Sequence, residues 1–403
     1  MVLSYDEAAA LVRSHADLVR AQPHAIERLR LAHAAGRVLA EPVIADRDQP
    51  PFPRATRDGF ACRAQDLAQG PLRVIGQLRA GEAWTAGPIA PGEAAEIMTG
   101  AGVPPGADCV VMVEHITSGA GHVTLTGPRE VASGENMVPA GAEARAGDVI
   151  VPAGRRLGPT QIAAAASCGA AEIAVFARPR IAILATGDEL VEIHHAPGPS
   201  QIRNSNSYSL AAQVAAAGAI PQLFPIVPDA AEATAQAIRE AAVCDLVLLT
   251  GGVSMGNFDF VEQALTALDA RFFLTGAKIQ PGKPVVFGKL PGPYFLGLPG
   301  NPISTIVTCA LFAAPLIAAL AGEVDAPPRF VLARVAEEVR VKPGLTRFLP
   351  ARLHSDVRGA HVRTIAWQGS GDLAAAAQAN AFLVVPESAA TLAAGEIASV
   401  LIL

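Results

Sequence analysis

Carboxylates, glycines and one lysine recur in this chain at the ends of apolar runs, a pattern suited to binding a phosphate ester together with a divalent cation. After RIAILA come Thr186, Gly187, Asp188 and Glu189; after FPIVP comes Asp229; after DLVLLT come Gly251, Gly252, Ser254 and Asp259. Glycine lets backbone N–H groups approach a phosphate, whereas carboxylates beside that phosphate repel it unless a cation such as Mg²⁺ lies between them. Lys283, in QPGKP, adds a positive charge on the same edge. Each acid taken singly reads as well as a helix cap or turn residue, since Asp188 or Glu189 would suit the positive end of a helix dipole. The set taken together points to function.

Two familiar patterns compete with this reading. GVSMG at 252–256 fits G-x-S-x-G after a strand and keeps a serine hydrolase using Ser254 as a rival. That chemistry needs a later acid and histidine, yet the later histidines, His354 and His361, fall in a C-terminal β segment, and no HGGG-like oxyanion motif is present. GAKIQPGK carries five residues between its glycines, one more than a Walker A loop, and Pro284 stands where Ser or Thr would bind Mg²⁺. The adjacent His194 and His195 have no partners at zinc-ligand spacing. Asp58-Gly59 in ATRDGFA reads on its own as a hairpin turn, and Thr99-Gly100 likewise as a turn.

Elements must hold these residues in place. In residues 179–323, RIAILATG, DLVLLTGG and PYFLGLPG alternate with Ala-rich helical stretches, which predicts a doubly wound α/β domain with a parallel sheet. Ligands of such sheets sit outside the carboxyl ends of the strands, where the glycine loops fall. Residues 46–144 alternate short apolar stretches with Gly/Pro turns and predict a β-rich insert domain. Residues 1–45 and 145–178 read as Ala-rich helix, one helical or connecting domain completed only after the insert. Residues 324–403 predict a small β barrel or sandwich, so the fold class is multidomain α/β plus β.

Composition narrows the function. The 403 residues are 51% hydrophobic and 17% charged, enough apolar area for several cores, and the length suggests about two to four domains. Lys+Arg 31 against Asp+Glu 37 leaves a net charge of −6, which disfavours a nucleic-acid partner. Cys62, Cys109, Cys168, Cys244 and Cys309 lie far apart without C-x-x-C, as expected of reduced thiols in a cytoplasmic protein. Ser4 and Glu7 form an S-x-x-E capping box, which predicts a helix in place of a signal peptide. The stretch 291–322 lacks charge and is long enough for a membrane span, but its interior carries a loop at 297–302, then Ser304, Thr305, Thr308 and Pro315. It reads as a buried helix, with Asn301 as N-cap and Pro302 at its first position.

Taken in order, DGFA at 58–61, MTGAGVPPGADCVVMVE at 98–114, GEN at 134–136, ATGDEL at 185–190, NSN at 204–206, GGVSMGNFD at 251–259, PGKP at 281–284, GLPGNPIS at 297–304 and QGSG at 368–371 resemble the molybdopterin molybdenumtransferases, the bacterial MoeA family whose eukaryotic counterpart is the gephyrin E domain. The blocks span nearly the whole chain. The resemblance implies a four-part elongated subunit, a homodimer, and an active site between the α/β domain of one subunit and the β insert of the other. It implies insertion of molybdenum from molybdate into adenylylated molybdopterin, with release of AMP and with Mg²⁺ assisting. Residue roles come with it. Asp58 and Thr99 would reach the partner's site; Glu189, Asp229 and Asp259 would surround the pyrophosphate, with Glu189 and Asp259 on the metal. Gly251, Gly252 and Ser254 would bind substrate, and Lys283, Pro284, Ser304 and Ser370 would line the molybdate pocket.

The chain departs from that pattern in four places. Arg57 stands where the family usually has Met, Glu143 where Asp is usual, Gln280 where Lys is frequent, and Asn257 where an acid precedes Asp259. TRFLPARL fits the family's arginine-containing stretch in two registers, which leaves Arg347 and Arg352 unassigned. Gln280 and Glu143 keep open an alternative of another class, a catalytically weak molybdopterin-binding or scaffolding paralogue.

Overall fold

A computed structural model describes residues 2–252, 260–324, 326 and 328–402. At its centre is a six-stranded sheet in the order Ile220–Leu223, Arg180–Ala185, Leu246–Thr250, Tyr294–Leu298, Val286–Lys289, Arg271–Leu274. The first four strands are parallel, and the register sets Ala185 beside Thr250 and Thr250 beside Leu298. Three chain segments therefore leave the sheet at one edge. Val286–Lys289 runs antiparallel to both its neighbours, forming with Tyr294–Leu298 a hairpin added to the expected parallel sheet. Ile181, Ile183, Leu246, Leu248 and Leu296 are fully buried, because helices cover both faces and an unbroken apolar run is what such strands require.

The helix Pro302–Leu320 is 19 residues long with a mean hydropathy of 2.2, and 78% of its apolar window is buried inside the fold, so the charge-free stretch is a core helix. Pro315 has no N–H to bond the carbonyl four residues back, and the preceding turn, Cys309–Ala313, widens into a π-helix. Helix Tyr5–Arg20 packs on it, contributing Ala8, Val12, Ala16 and Val19 at fourfold or threefold spacing to the sheet's core. Its capping box is formed: Glu7 N–H donates to Ser4 Oγ at 3.3 Å and Ser4 N–H donates to Glu7 Oε2 at 2.8 Å.

The expected helix over 1–45 ends at Arg20, with Pro23 close behind. Ile26–Arg30 is a strand, paired antiparallel with Glu172–Phe176, and Val43–Ile44 pairs with Val149–Val151. A bridge between Gln49 and Ala144 continues that second ribbon. The later helix, Pro159–Ser167, likewise stops before Gly169, whose φ of +74° turns the chain into the Glu172–Phe176 strand. Both stretches expected to be helical therefore switch to extended structure, where each supplies the other's backbone partner.

Residues between the two arms of that ribbon form a six-stranded sheet, Cys109–Met112, Gly59–Cys62, Glu93–Ile97, Leu72–Leu78, His122–Leu125, Ile116–Gly119, over two small cores of its own. All five cysteines are free and buried. The C-terminal strands Thr346–Asp356, Gly359–Thr364, Phe330–Val335, Ile397–Ile402 and Ala381–Val385 close on themselves into a five-stranded barrel. Ile279–Gln280, from the α/β part of the chain, adds to this barrel beside Thr346–Arg347. Phe348, Phe382 and Leu401 share one hydrophobic cluster with the central sheet.

Candidate functional site

The strand exits after Ala185, Thr250 and Leu298 open onto a cleft of about 740 Å³. Thr186, Gly187 and Glu189 come from the first exit, Gly251 and Gly252 from the second, and Pro299, Gly300 and Asn301 from the third. Asp229, Pro284 and Gly371 add to the wall, as does Arg203, whose Nε donates to the Ile193 carbonyl at 3.0 Å. Helices Asn206–Ala216 and Pro302–Leu320 begin here, with Asn206 and Pro302 in the lining, so two positive dipole ends bear on the cleft.

Close crossing of loops explains the glycine pair. Gly251 has φ +93°, and a Cβ there would overlap the Thr186 carbonyl oxygen and lie 3.0 Å from Thr186 Oγ1. Gly252, at φ +63°, would bring a Cβ within 2.9 Å of the same hydroxyl. Asn206 Nδ2 cross-links the other two exits, donating to Thr250 Oγ1 at 2.9 Å and to the Gly300 carbonyl at 2.7 Å. Thr250 in turn donates to the Pro299 carbonyl at 3.3 Å. Two buried polar atoms of the lining, Thr186 Oγ1 and Asn206 Oδ1, have no partner among the described residues. Thr186→Val replaces the unpaired hydroxyl by a methyl of similar size, so the thermal midpoint is expected to stay or rise. A clear fall in differential scanning fluorimetry would contradict this.

The acids divide into two kinds. Asp188 Oδ1 accepts from the Asp229 N–H at 3.1 Å and so ties two loops together, a structural tether with no helix to cap. Glu189 and Asp229 both line the cleft, the first exposed and the second half-buried. Mg²⁺ is usually held by one or two carboxylates plus substrate phosphates, and this donor set fits that habit. Among the described residues no group of three or more His, Cys, Asp or Glu is gathered. Asp259, Ser254 and Asn257 lie outside the described residues.

Other expected site residues are spread more widely. Ser370 belongs to the barrel part of the chain yet reaches the cleft mouth, where its Oγ accepts from Asn301 Nδ2 at 2.9 Å. Lys283 is exposed one residue before the cleft-lining Pro284. Ser304 is 4% exposed and does not line the cleft; its carbonyl accepts from Thr308 Oγ1 at 2.7 Å. Register sets Arg347 beside Gln280, whereas Arg352 lies farther along the same strand, opposite Arg363. Glu143 is engaged by Arg54 at 3.0 Å, and Arg57 Nη1 donates to the Thr56 carbonyl.

Asp58 and Thr99 sit on the insert and do not line this chain's cleft. They bond each other: Asp58 Oδ1 accepts from both the Thr99 hydroxyl and the Thr99 N–H at 2.6 Å. The hydroxyl first, and the N–H second, hold the Asp58 carboxyl below its ordinary value of 3.8. A depressed carboxyl pKa means the tether is intact above the ordinary carboxylate range and is lost as pH falls through the depressed value. Carboxyl-carbon NMR is expected to give Asp58 a midpoint under 3.8, moving upward in Thr99→Ala; an unmoved midpoint would remove the hydroxyl as its cause.

Asn206 and Thr250 line the cleft without a role assigned from the sequence, and Asn301, expected only as an N-cap, lines it too, although NSN and GLPGNPIS contain two of the three. The signal was present as small polar residues next to strand exits. For the serine-hydrolase rival, His354 and His361 are cross-strand partners within the barrel, and no histidine lines the cleft among the described residues.

Comparison with known proteins places this architecture. Residues 3–169 match the model of the MoeA N-terminal region (domain I and II), residues 182–319 that of a probable molybdopterin binding domain, and residues 332–403 that of the MoeA C-terminal region (domain IV). The chain is 36% identical over 385 residues to the molybdopterin molybdenumtransferase of Nostoc sp., covering 90% of this chain and 85% of that protein. It is 33% identical over 383 residues to the Haemophilus influenzae protein of the same name, covering 93% of each. A crystal structure of the molybdopterin biosynthesis MoeA protein from Pyrococcus horikoshii superposes with a TM-score of 0.82 at 27% identity, over 100% of both chains.

Proposed function

Because the chain belongs to the MoeA family of molybdopterin molybdenumtransferases, we propose that it is the transferase of molybdenum cofactor biosynthesis that moves molybdenum from molybdate into adenylylated molybdopterin and releases AMP. One observation carries the reading: three strand exits, each bearing glycine, meet Glu189 and Asp229 in a single cleft. Two helix N-termini favour an anionic group there. Glu189 and Asp229 would hold Mg²⁺, which when bound neutralises charge between the carboxylates and a phosphoanhydride. Asn206 keeps the Thr250 and Gly300 exits in register, and Lys283 and Ser370 offer donors to the oxyanion. In the transfer, two dithiol sulfurs bond to molybdenum, one molybdate oxygen leaves with the thiol protons as water, and water cleaves the anhydride with AMP as leaving group. Asp58 and Thr99 do not line this chain's own cleft, which supports a homodimer whose insert reaches the cleft of the other copy.

The test is AMP release by purified protein given adenylylated molybdopterin and molybdate, with and without Mg²⁺. Release that requires both molybdate and Mg²⁺ is expected. Pterin binding without AMP release would instead favour the scaffolding paralogue, for which the exposed, uncharged Gln280 beside Arg347 is the supporting observation. Absence of both pterin binding and AMP release would overturn the transferase.

A further inference from the structure

We propose that Asn301 is a positioning residue that turns the Ser370 hydroxyl outward as a hydrogen-bond donor toward an oxyanion whose oxygens only accept. The inference rests on the transferase reading for the identity of that oxyanion, molybdate. It starts from a bond between two parts of the chain 69 residues apart: Asn301 Nδ2 donates to Ser370 Oγ at 2.9 Å. A serine hydroxyl has one proton and two lone pairs, so an oxygen occupied by a donor must send its own proton elsewhere.

The neighbouring hydroxyls show the contrast. Thr250 accepts from Asn206 and donates to the Pro299 carbonyl. Thr305 donates to the Pro299 and Asn301 carbonyls, and Thr308 to that of Ser304. Each of those protons has a protein acceptor, whereas among the described residues none takes the Ser370 proton.

Asn301 is also placed where its side chain would ordinarily cap the helix it precedes, yet it makes no capping bond. The Ser370 carbonyl takes the Ile303 N–H instead, at 2.9 Å. The main chain around Ser370 is fixed further by Asp372, whose two oxygens accept from the Gln368 and Ala375 N–H groups at 3.0 and 3.1 Å. With the backbone held at both sides, the direction of the hydroxyl is what remains for Asn301 to decide.

The test is a double-mutant cycle with Asn301→Ala, Ser370→Ala and both together, read as AMP release against molybdate concentration. Ser370→Ala is expected to raise the molybdate KM by about ten- to a hundredfold, the worth of a hydrogen bond to a charged group. Asn301→Ala is expected to raise it about three- to tenfold while kcat and the KM for adenylylated molybdopterin stay near wild type, and the double variant is expected to be no worse than Ser370→Ala. Additive effects, or equal changes in both KM values, would overturn the positioning role. Titrating the same proteins with molybdate alone separates the two claims. Molybdate affinity that depends on Asn301 in a protein that releases no AMP overturns the transferase only; affinity unchanged in Asn301→Ala overturns this inference; a wild type that neither binds nor processes molybdate overturns both.

Discussion

Gly251→Ala is expected to lower the free energy of unfolding by about 2–5 kcal/mol and to abolish ligand binding at the cleft. Two costs add. An L-residue at the φ of +93° found there loses about 1–2 kcal/mol against its preferred conformations. The new Cβ would also overlap the Thr186 carbonyl oxygen, a backbone atom that cannot rotate aside, and overpacking of that kind costs about 1–3 kcal/mol. Relief requires the second strand exit to move away from the first, which pulls apart the floor on which any ligand would rest. Gly292→Ala is the matched control, because a Cβ there meets nothing within 4 Å. Urea denaturation of the pair decides the matter: equal midpoints would mean the two exits do not cross as closely as described.

Lys283→Ala is expected to weaken molybdate binding by about ten- to a hundredfold and to leave stability close to wild type. Glu189 and Asp229 outweigh Arg203, the one cation in the cleft lining among the described residues, so an oxyanion entering it gains from a further cation. Among the described residues Lys278 is engaged by Glu387 at 3.3 Å, whereas Lys283 is exposed and has no carboxylate partner. Its charge is therefore available to a ligand, and removing it deletes no internal contact. With Gln280 in place of a second lysine nearby, the remaining neighbouring cations are arginines, Arg347 in register with Gln280 and Arg203 in the cleft lining. Equilibrium dialysis with molybdate measures it; an unchanged affinity would release Lys283 from the role.

Some of this was readable from residue order alone, for a physical reason. A strand buried on both faces must be an unbroken apolar run, and a residue that turns sharply beneath a neighbouring loop must be glycine, so RIAILATG and DLVLLTGG announce both strand and exit. The antiparallel hairpin was not readable, because Val286–Lys289 and Tyr294–Leu298 have the same apolar character whichever way they run. The alanines of residues 26–45 suit a helix, while the strands that Ile26–Arg30 and Val43–Ile44 pair with lie beyond the insert and leave no local trace. Asn301 looks like an N-cap from its neighbours, Gly300 and Pro302. Its real partner, Ser370, is brought in by the barrel, and no spacing rule links the two. Sequence order alone does not tell the acids apart; the folded chain separates Asp188, which ties two loops together, from Glu189 and Asp229, which line the cleft.

The ribbon of residues 43–49 against 144–151 has a mechanical meaning. The insert leaves and rejoins the body of the protein through strands that lie side by side, so it hangs from a single stalk. Whatever sets the twist of that stalk aims Asp58 and Thr99, and in the proposed homodimer the reach of one copy toward the other's cleft would be governed there, well away from the cleft itself.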